Sequence, residues 1–328
     1  ALRNELAPFM TVTELGNVVY VSPIGNNATG QRGRIDKPFL TIQGALDSAN
    51  GTQQYDIVHI MPGNYVGDVA TFGARGWGQG FGNVFVLDNA TITGDFTMDA
   101  GIGGDLGYSI IGIGKSKIIG TVGVGHGDHQ AKDIKNVEIT NGIRCRVFGV
   151  VSGCKVGFVD TYLPIYSGLW IDNEITSTNP NGLGATWLQS IGMTFRRCSF
   201  KIVHFGQQTF GRNDFTRFYN CDITGTDDAI PLITWAGQGV KIAAQNCSFN
   251  FGQKLYEHRL DNGYTAEESF YFQNCIFNSA TGSQLISKTQ NAGAEPSYLE
   301  LLNCISNVPA GAPITLEQNF IVSPFTRI

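Results

Sequence analysis

Charge is scarce in this sequence, and no long apolar run takes its place. Charged residues make up 15% of the 328 residues, and 22 Lys and Arg against 27 Asp and Glu leave a net charge of -5. No cluster of basic side chains of the kind that follows a phosphate backbone is present, so nucleic acid is excluded as an expected partner. Gly or a charged residue interrupts every apolar stretch before the ~18 residues of a membrane-spanning helix, which excludes membrane insertion.

Two further absences narrow the class of protein. The first ten residues contain no apolar segment of a signal peptide, so we expect that such a peptide either was removed or never existed. Long helical patterns of Ala, Glu, Lys, Leu and Arg are also missing. Instead the chain has 42 Gly and is rich in Val, Ile, Thr, Phe and Tyr, which favours β structure with many tight turns.

The seven cysteines are odd in number, so a complete set of internal disulfides is excluded, and none lies in a Cys-x-x-Cys zinc pattern. Five of them recur in one local setting, a polar residue followed by Cys and then by an apolar residue one or two positions later. Their spacing runs from 23 residues (198 to 221) to 29 residues (275 to 304). The five are Cys198, Cys221, Cys247, Cys275 and Cys304, and Asn precedes the last four.

A local pattern that returns every ~20 to 30 residues is typical of stacked repeat proteins. Upstream, the Cys position is filled by Ala90, Val137 and Asn173, so the repeat runs through most of the chain. We predict a parallel β-solenoid with an inward ladder of small residues, free buried thiols, and turns at Gly and Asn, which tolerate left-handed backbone angles. Disulfides or redox chemistry are the alternative for the thiols, and an immunoglobulin-like sandwich is the alternative fold.

The N-terminal part predicts a strand over Val18–Val21 and a short helix that carries Ile42, Ala45, Leu46 and Ala49 on one face. Asn50-Gly51 ends this helix, and a strand over Tyr55–Tyr65 with a Pro-Gly turn follows. A solenoid exposes apolar core at its open end. We therefore expect the helix to cap that end.

Three motifs in this part resemble the opening of pectate-lyase-like proteins, a superfamily that includes polysaccharide lyases, bacterial surface proteins and many bacteriophage tailspikes. They are Tyr20-Val21-Ser22-Pro23, Lys37-Pro38-Phe39 with Thr41-Ile42-Gln43, and Ile60-Met61-Pro62-Gly63-Asn64-Tyr65. The resemblance implies an all-β, right-handed parallel β-helix. It divides the chain into an arm (1–17), an entry strand, capping helix and first coil (18–66), further coils with loop insertions (67–305) and a C-terminal tail (306–328).

Catalysis on such a solenoid would need paired carboxylates or an acidic calcium site with a base. Asp227 and Asp228 resemble the double Asp of polygalacturonases, but Gly125-His126-Gly127 lies upstream of them, whereas the family has its Gly-His-Gly downstream. The alternative is that both are turn residues at a coil corner. The remaining candidates are Asp214, Glu257 and Glu267.

A metal site is a weaker hypothesis. His126, Asp128 and His129 lie close enough together in one Gly-flanked loop to supply three ligands, but a solvated turn is the favoured interpretation, because nothing else in the sequence completes the ligand set. No cofactor is expected.

Aromatic and charged residues suggest a glycan- or partner-binding surface, because flat rings stack on sugars and charged groups bind hydroxyls or carboxylates. The alternative is that the rings pack between coils or between subunits. The candidates are Trp77, Phe81, Trp187, Arg212, Trp235, Tyr256, Arg259 and Tyr264.

These observations predict a bacteriophage virion protein: a spike, fibre or capsid-decorating β-helix that binds a host-surface polysaccharide or neighbouring virion proteins, as a homotrimer. The alternative function is a glycan hydrolase or lyase that acts in a groove along the solenoid. A third hypothesis is a secreted bacterial surface protein with the same fold, which requires a cleaved signal peptide.

Overall fold

A computed structural model of the chain describes 18 segments, and the chain divides into two compact units, residues 1–141 and 142–328. In each unit short strands stack in parallel to form a β-solenoid, which confirms the all-β fold predicted from the repeat. The described segments are 18–48, 57–71, 83–98, 108–124, 130–144, 146–147, 149–166, 168–176, 186–191, 193–203, 205–207, 216–230, 232–235, 241–258, 269–279, 286–288, 297–307 and 320–322.

Unit 1 contains one short helix and twelve strands among its described residues. In chain order they are β1 (Val18–Val21), α1 (Ile42–Asp47), β2 (Ile57–Ile60), β3 (Gly63–Val66), β4 (Val69–Thr71), β5 (Val84–Asp88), β6 (Ala90–Thr93), β7 (Phe96–Met98), β8 (Tyr108–Ile113), β9 (Lys117–Ile119), β10 (Thr121–Val124), β11 (Gln130–Lys135) and β12 (Glu138–Ile139).

Three parallel sheets form the sides of unit 1. Sheet 1 has the order β1-β2-β5-β8-β11, sheet 2 the order β3-β6-β9-β12, and sheet 3 the order β4-β7-β10. Each coil thus contributes one strand to each sheet in turn. The predicted strand over Tyr55–Tyr65 is two strands, β2 and β3, separated by the turn at Met61-Pro62.

Helix α1 begins after Thr41, whose hydroxyl oxygen accepts a hydrogen bond from the Gly44 N–H at 3.0 Å. Its buried face consists of Ile42, Ala45 and Leu46, three of the four residues predicted from their spacing, and it packs against β1, β2 and β4. The helix ends at Asp47, before the predicted Asn50-Gly51, and Ala49 lies outside the described residues. No helix among the described residues is long and apolar enough to cross a membrane.

The outer face of sheet 1 is apolar, which the sequence analysis did not predict. Ile57, Val86 and Ile111 are buried there and contact Val18 and Val84. Side chains alternate along a strand, so this cluster lies on the opposite face of the sheet from Val58 and Phe85 of the core. Unit 1 therefore has apolar packing on both faces of one sheet.

Unit 2 contains 23 strands among its described residues. In chain order they are β13 (Gly142–Ile143), β14 (Arg146–Val147), β15 (Val150–Ser152), β16 (Lys155–Val156), β17 (Asp160–Tyr166), β18 (Leu169–Ile171), β19 (Glu174–Thr176), β20 (Thr186–Ile191), β21 (Thr194–Arg196), β22 (Ser199–Ile202), β23 (Phe205–Gln207), β24 (Thr216–Tyr219), β25 (Asp222–Gly225), β26 (Ile233–Trp235), β27 (Lys241–Gln245), β28 (Ser248–Phe251), β29 (Tyr256–His258), β30 (Ser269–Gln273), β31 (Ile276–Ser279), β32 (Ile286–Lys288), β33 (Ser297–Leu302), β34 (Ile305–Asn307) and β35 (Phe320–Val322).

Unit 2 repeats the three-sheet arrangement. Sheet 4 has the order β15-β18-β21-β24-β27-β30-β33-β35, sheet 5 the order β16-β19-β22-β25-β28-β31-β34, and sheet 6 the order β17-β20-β23-β26-β29-β32. Strand β35 pairs in parallel with β33, so solenoid pairing extends into the predicted C-terminal tail.

Aromatic rings stack coil on coil in the core of unit 2. Phe195 and Phe218 occupy the same register position in sheet 4, and their rings are stacked with centroids 5.2 Å apart. Phe249 and Phe277 are stacked in the same way in sheet 5, at 5.5 Å. In-register stacking brings identical side chains into contact, so the core is a set of ladders.

The cysteines form the predicted inward ladder. The six described cysteines are free thiols, and five of them are buried. The Cys221 N–H donates to the Cys247 Sγ at 3.5 Å, and the Cys198 thiol donates to the Trp170 carbonyl of the preceding coil at 3.5 Å. The hydrogen bond with Cys221, together with burial, raises the pKa of Cys198. These thiols therefore act as small core side chains; Cys145 lies outside the described residues.

Asparagine and its substitutes turn the coil at one corner, as predicted. Among the described residues, eight other than glycine have a left-handed backbone, with φ between 47° and 55°, and each immediately precedes the inward position of its coil. Asn is one of the few residues that adopt this conformation at low cost. The eight are Asn89, Asn136, Asp172, Arg197, Asn220, Asn246, Asn274 and Asn303.

Candidate functional site

An open cleft of about 330 Å³ lies on unit 2 beside the outer face of sheet 5. We call it the amide cleft, because three asparagines from successive coils line it together with the turn that follows β25. Its lining residues are Gly225, Asp228, Asn250, Phe251, Asn278, Ser279 and Asn307.

The three asparagines form a hydrogen-bonded row. Asn278 Nδ2 donates to Asn250 Oδ1 at 2.7 Å, and Asn307 Nδ2 donates to Asn278 Oδ1 at 2.9 Å. Asn250 Nδ2 donates in turn to Asp222 Oδ1 at 3.1 Å.

These bonds fix the orientation of the three amides. Successive amides are one coil apart, and paired strands are usually about 4.8 Å apart. The Asn250 Nδ2 also lies within donating distance of the Thr224 and Ser248 hydroxyls, so its hydrogens are used within the protein. Asn250 Oδ1 and Asn278 Oδ1 each accept one bond in the row and have a second lone pair for a ligand.

Asp228 supplies the charge of the amide cleft. Its side chain is exposed, and its carbonyl accepts a hydrogen bond from the Gln253 N–H at 3.1 Å. Gly252 allows this approach, because a Cβ there would lie 2.3 Å from the Asp228 Cα. The turn that carries the carboxylate is thus held against the next coil by close backbone packing.

Asp227 has a different role from its neighbour. Its Oδ1 accepts a hydrogen bond from the Ala229 N–H at 2.9 Å, and its carbonyl accepts one from the Ile230 N–H at 3.3 Å. The first bond is that of an Asx turn, which Asp favours in loops, and the second is the backbone bond of a β-turn. The structure therefore separates the Asp pair into one turn-forming residue and one that lines the amide cleft.

Among the residues that the structure describes, no pair of carboxylates lines the amide cleft. Asp228 is the one carboxylate among its lining residues, whereas glycoside hydrolysis normally uses two across the scissile bond. Glu257, another catalytic candidate, lies in β29 of sheet 6, in register with Thr234 and Ser287. It therefore belongs to a different sheet from the asparagine row.

Three aromatic candidates lie on strands of sheet 6. Trp187 of β20 pairs with Gly206, which pairs with Thr234 and, through it, with Glu257, so these four residues occupy the same position in successive strands. Trp235 of β26 follows Thr234 directly in its strand. Tyr256 is 0% exposed, and its ring packs on Phe270 with centroids 4.9 Å apart. The Tyr256 ring therefore packs in the core, which is the alternative given for these aromatic residues.

Most other predicted site residues lie outside the described residues. Among the described residues no group of three or more His, Cys, Asp or Glu could hold a metal ion. The residues outside are the metal candidates His126, Asp128 and His129, the catalytic candidates Asp214 and Glu267, and the binding candidates Trp77, Phe81, Arg212, Arg259 and Tyr264.

Sheet 4 exposes aromatic rings that the sequence analysis missed. Tyr271 of β30 and Tyr298 of β33 are exposed, and the Arg196 guanidinium lies 5.5 Å from the ring centroid of Tyr219. The alternation of side chains along a strand could have predicted this exposure, because Phe270 and Phe272 on either side of Tyr271 point inward. The asparagine row was missed for another reason: Asn250, Asn278 and Asn307 are neighbours only after the coils stack.

No protein-family model, curated protein or solved structure matches this chain. The fold follows from the parallel pairing of the strands, and the resemblance to pectate-lyase-like proteins remains a prediction from the motifs over residues 18–66.

Proposed function

We propose that this protein is a structural, receptor-binding virion protein, a spike, fibre or capsid-decorating solenoid, that binds a host-surface glycan in the amide cleft. The observation that carries the proposal is the row of Asn250, Asn278 and Asn307 beside the exposed carboxylate of Asp228. Planar amides and a carboxylate complement sugar hydroxyls, which both donate and accept hydrogen bonds. The virion assignment rests on the tailspike-like motifs of the N-terminal part.

A repeating row suits a repeating polymer. The amides recur once per coil with fixed orientation, so one glycan chain lying along the solenoid axis would meet the same groups several times. Binding groups that are held in place before the ligand arrives lose little side-chain entropy on binding. The row therefore favours affinity for a polysaccharide over affinity for a single sugar.

The amide cleft favours glycan binding without cleavage of the glycan. Of the described residues, one carboxylate lines this cleft, so these residues by themselves do not supply both a general acid and a general base. A hydrolase or lyase is the alternative function, and the exposed Asp228 is its best-placed residue. The same experiment separates the two.

The test uses the purified full chain and a panel of capsular and lipopolysaccharide glycans from bacterial hosts. We expect saturable binding without release of reducing ends, weakened about tenfold or more by Asn278→Leu, which removes a hydrogen bond to the ligand, and by Asp228→Asn, which removes the charge that strengthens one. Asn64→Leu is the matched control, because Asn64 is an exposed asparagine of β3 in unit 1.

Two results would contradict the binding proposal. One is equal affinity of the Asn278→Leu and Asn64→Leu variants for every glycan that binds. The other is release of reducing ends that Asp228→Asn abolishes, which would establish the enzyme instead. The proposal includes a homotrimer, and sedimentation of the chain as a monomer at micromolar concentration would exclude that form.

A further inference from the structure

The outer face of sheet 5 carries a second row of side chains beside the asparagine row. Ile276 of β31 and Ile305 of β34 each lie two residues before an asparagine of that row, so they point to the same face. The two isoleucines pair in parallel register and are 39% and 57% exposed. In each of these strands an exposed alkyl group therefore lies beside an amide of the cleft.

This combination of isoleucine and asparagine occurs in β31 and β34 and in no other described strand of sheet 5. The position of the isoleucines is held by Ser248 in β28 and by Asp222 in β25. A single exposed apolar residue is common on protein surfaces. Here two of them occupy one position of paired strands, so an alkyl row and an amide row coincide in the same two coils.

The amides of these two coils have hydrogen-bonding groups to spare. One Nδ2 hydrogen of Asn278 goes to Asn250 Oδ1, and one of Asn307 goes to Asn278 Oδ1. The second hydrogen of each of these Nδ2 atoms has no acceptor among the described residues, and the Asn278 Oδ1 has a second lone pair. One coil therefore offers a ligand an N–H, a carbonyl oxygen and an alkyl group.

The charge of the amide cleft limits the ligand further. Asp228 is the one charged side chain among its described lining residues, and Asp222, whose Oδ1 accepts from Asn250, lies on the same outer face. Lys201, in the register row of the asparagines, lies two coils before Asn250. Like charges repel, so the cleft disfavours a sugar that carries a carboxylate or a phosphate.

We propose that the amide cleft selects glycans that contain N-acetylated amino sugars without acidic groups. The acetamido group of such a sugar has an N–H for the Asn278 Oδ1, a carbonyl oxygen for the Asn278 Nδ2 and a methyl group for the Ile276 side chain. Asn307 and Ile305 repeat this set one coil later for a further sugar. A hydroxyl in the same place would leave the isoleucine without a contact. The inference rests on glycan binding in the amide cleft and adds the class of sugar.

The test uses the full chain and the same glycan panel, divided into glycans with and without N-acetylated sugars. Each N-acetylated glycan is used in native form, and also after chemical N-deacetylation followed by N-acetylation or N-formylation. We expect native and re-acetylated forms to bind about tenfold or more tightly than the deacetylated form at high ionic strength, where attraction of the free amine to Asp228 is screened. Glycans with acidic groups should bind several-fold more weakly, and Asp228→Asn should reduce that difference.

The N-formyl group isolates the contact with isoleucine, because it keeps the amide and lacks the methyl group. It should bind the unchanged protein about fourfold more weakly than the N-acetyl group. The double variant Ile276→Ser, Ile305→Ser should bind both forms equally, and Ser248 shows that serine fits this position of the coil. Ile119→Ser is the matched control, because Ile119 is an exposed isoleucine of β9 in unit 1, and it should keep the fourfold difference.

The outcomes separate this inference from the proposed function. Equal affinity for acetylated and deacetylated forms, with both weakened by Asn278→Leu, would overturn the choice of sugar and leave glycan binding in place. A formyl–acetyl difference that is absent from the unchanged protein, or that persists in the double variant, would also overturn the inference. Failure of every glycan to bind, or binding that Asn278→Leu does not weaken, would overturn both.

Discussion

Arg197 and Asp172 form a bidentate ion pair between adjacent coils, with Nε to Oδ1 at 2.6 Å and Nη2 to Oδ2 at 2.8 Å. The hydrogen bond from Arg197 lowers the pKa of Asp172. Both residues occupy the left-handed corner position, which in later coils is held by Asn220 and Asn246, linked amide to amide at 3.1 Å. The same corner position is therefore linked from coil to coil by an ion pair in one part of unit 2 and by hydrogen-bonded amides in another.

Arg197→Asn should raise the melting temperature by roughly 1–3 °C. The left-handed backbone at φ 51° costs Arg more than Asn, and an exposed ion pair adds little to stability. Scanning calorimetry measures the shift. Arg197→Ala is the control, because it removes the ion pair but leaves a residue for which the left-handed backbone is costly. It should lower the melting temperature. A lower value for Arg197→Asn would show that the ion pair outweighs the strain.

His59 should make unit 1 less stable in mild acid. Burial lowers the pKa of His59, and the Asp88 carboxylate, 3.8 Å from Nε2, offsets part of this shift because it favours the charged imidazole. The Tyr20 and His59 ring centroids are 5.6 Å apart. The folded state thus favours neutral His59, so stability is complete above the unfolded pKa of about 6.5 and is lost as the pH falls from there towards the folded pKa.

Urea unfolding at pH 7.5 and pH 5.5 measures this effect. His59→Leu, which places an aliphatic side chain beside Val86, should lose less stability over the interval than the unchanged protein. An identical pH dependence of the two proteins would exclude His59 as the titrating group.

Cys304 should react with iodoacetamide before the other described thiols. The hydrogen bond from the Cys275 thiol lowers the pKa of Cys304 to about 7, and its side chain is only partly buried. The thiolate is the reactive form, so labelling should rise as the pH increases through about 7. Peptide mass spectrometry after brief labelling gives the order of reaction, with Cys304→Ser as the control. Earlier labelling of Cys247 would contradict the prediction.

Gly252→Ala should distort the amide cleft, whereas Gly225→Ala should not. A Cβ at Gly252 would lie 2.3 Å from the Asp228 Cα, but a Cβ at Gly225 has its nearest neighbour at 3.5 Å. We expect the first change to destabilise the protein by roughly 1–3 kcal/mol, and also to weaken glycan binding. Chemical unfolding and the glycan assay measure the two effects, and equal behaviour of the variants would argue against the close packing.

Much of the fold was predictable because its signals are local. The pattern of Asn, small residue and apolar residue predicted both the corner conformation and the inward position, and Ala90, Val137 and Asn173 occupy that position as predicted. Asn173 shows how a polar residue fits there: its Oδ1 accepts from the Cys154 N–H at 3.0 Å and its Nδ2 donates to the Val151 carbonyl at 2.9 Å.

The candidate site was less predictable, because it depends on which residues face outward and on which coils meet. Asp228 was chosen from its motif alone, and the structure places it in the amide cleft. Tyr256 was chosen from a charged segment of sequence, and its ring faces the core because its strand position alternates inward. Local composition does not reveal the facing of a single residue in a three-residue strand.

By itself the sequence determined the repeat, the left-handed corners and the thiol ladder, because backbone preference and alternation act within a few residues. Only the tertiary structure decided that Asn250, Asn278 and Asn307 form one row and that Asp228 lies beside it. Those residues are separated by whole coils of variable length. The physical reason is that parallel pairing sets their register, and this register is a property of the stacked strands together.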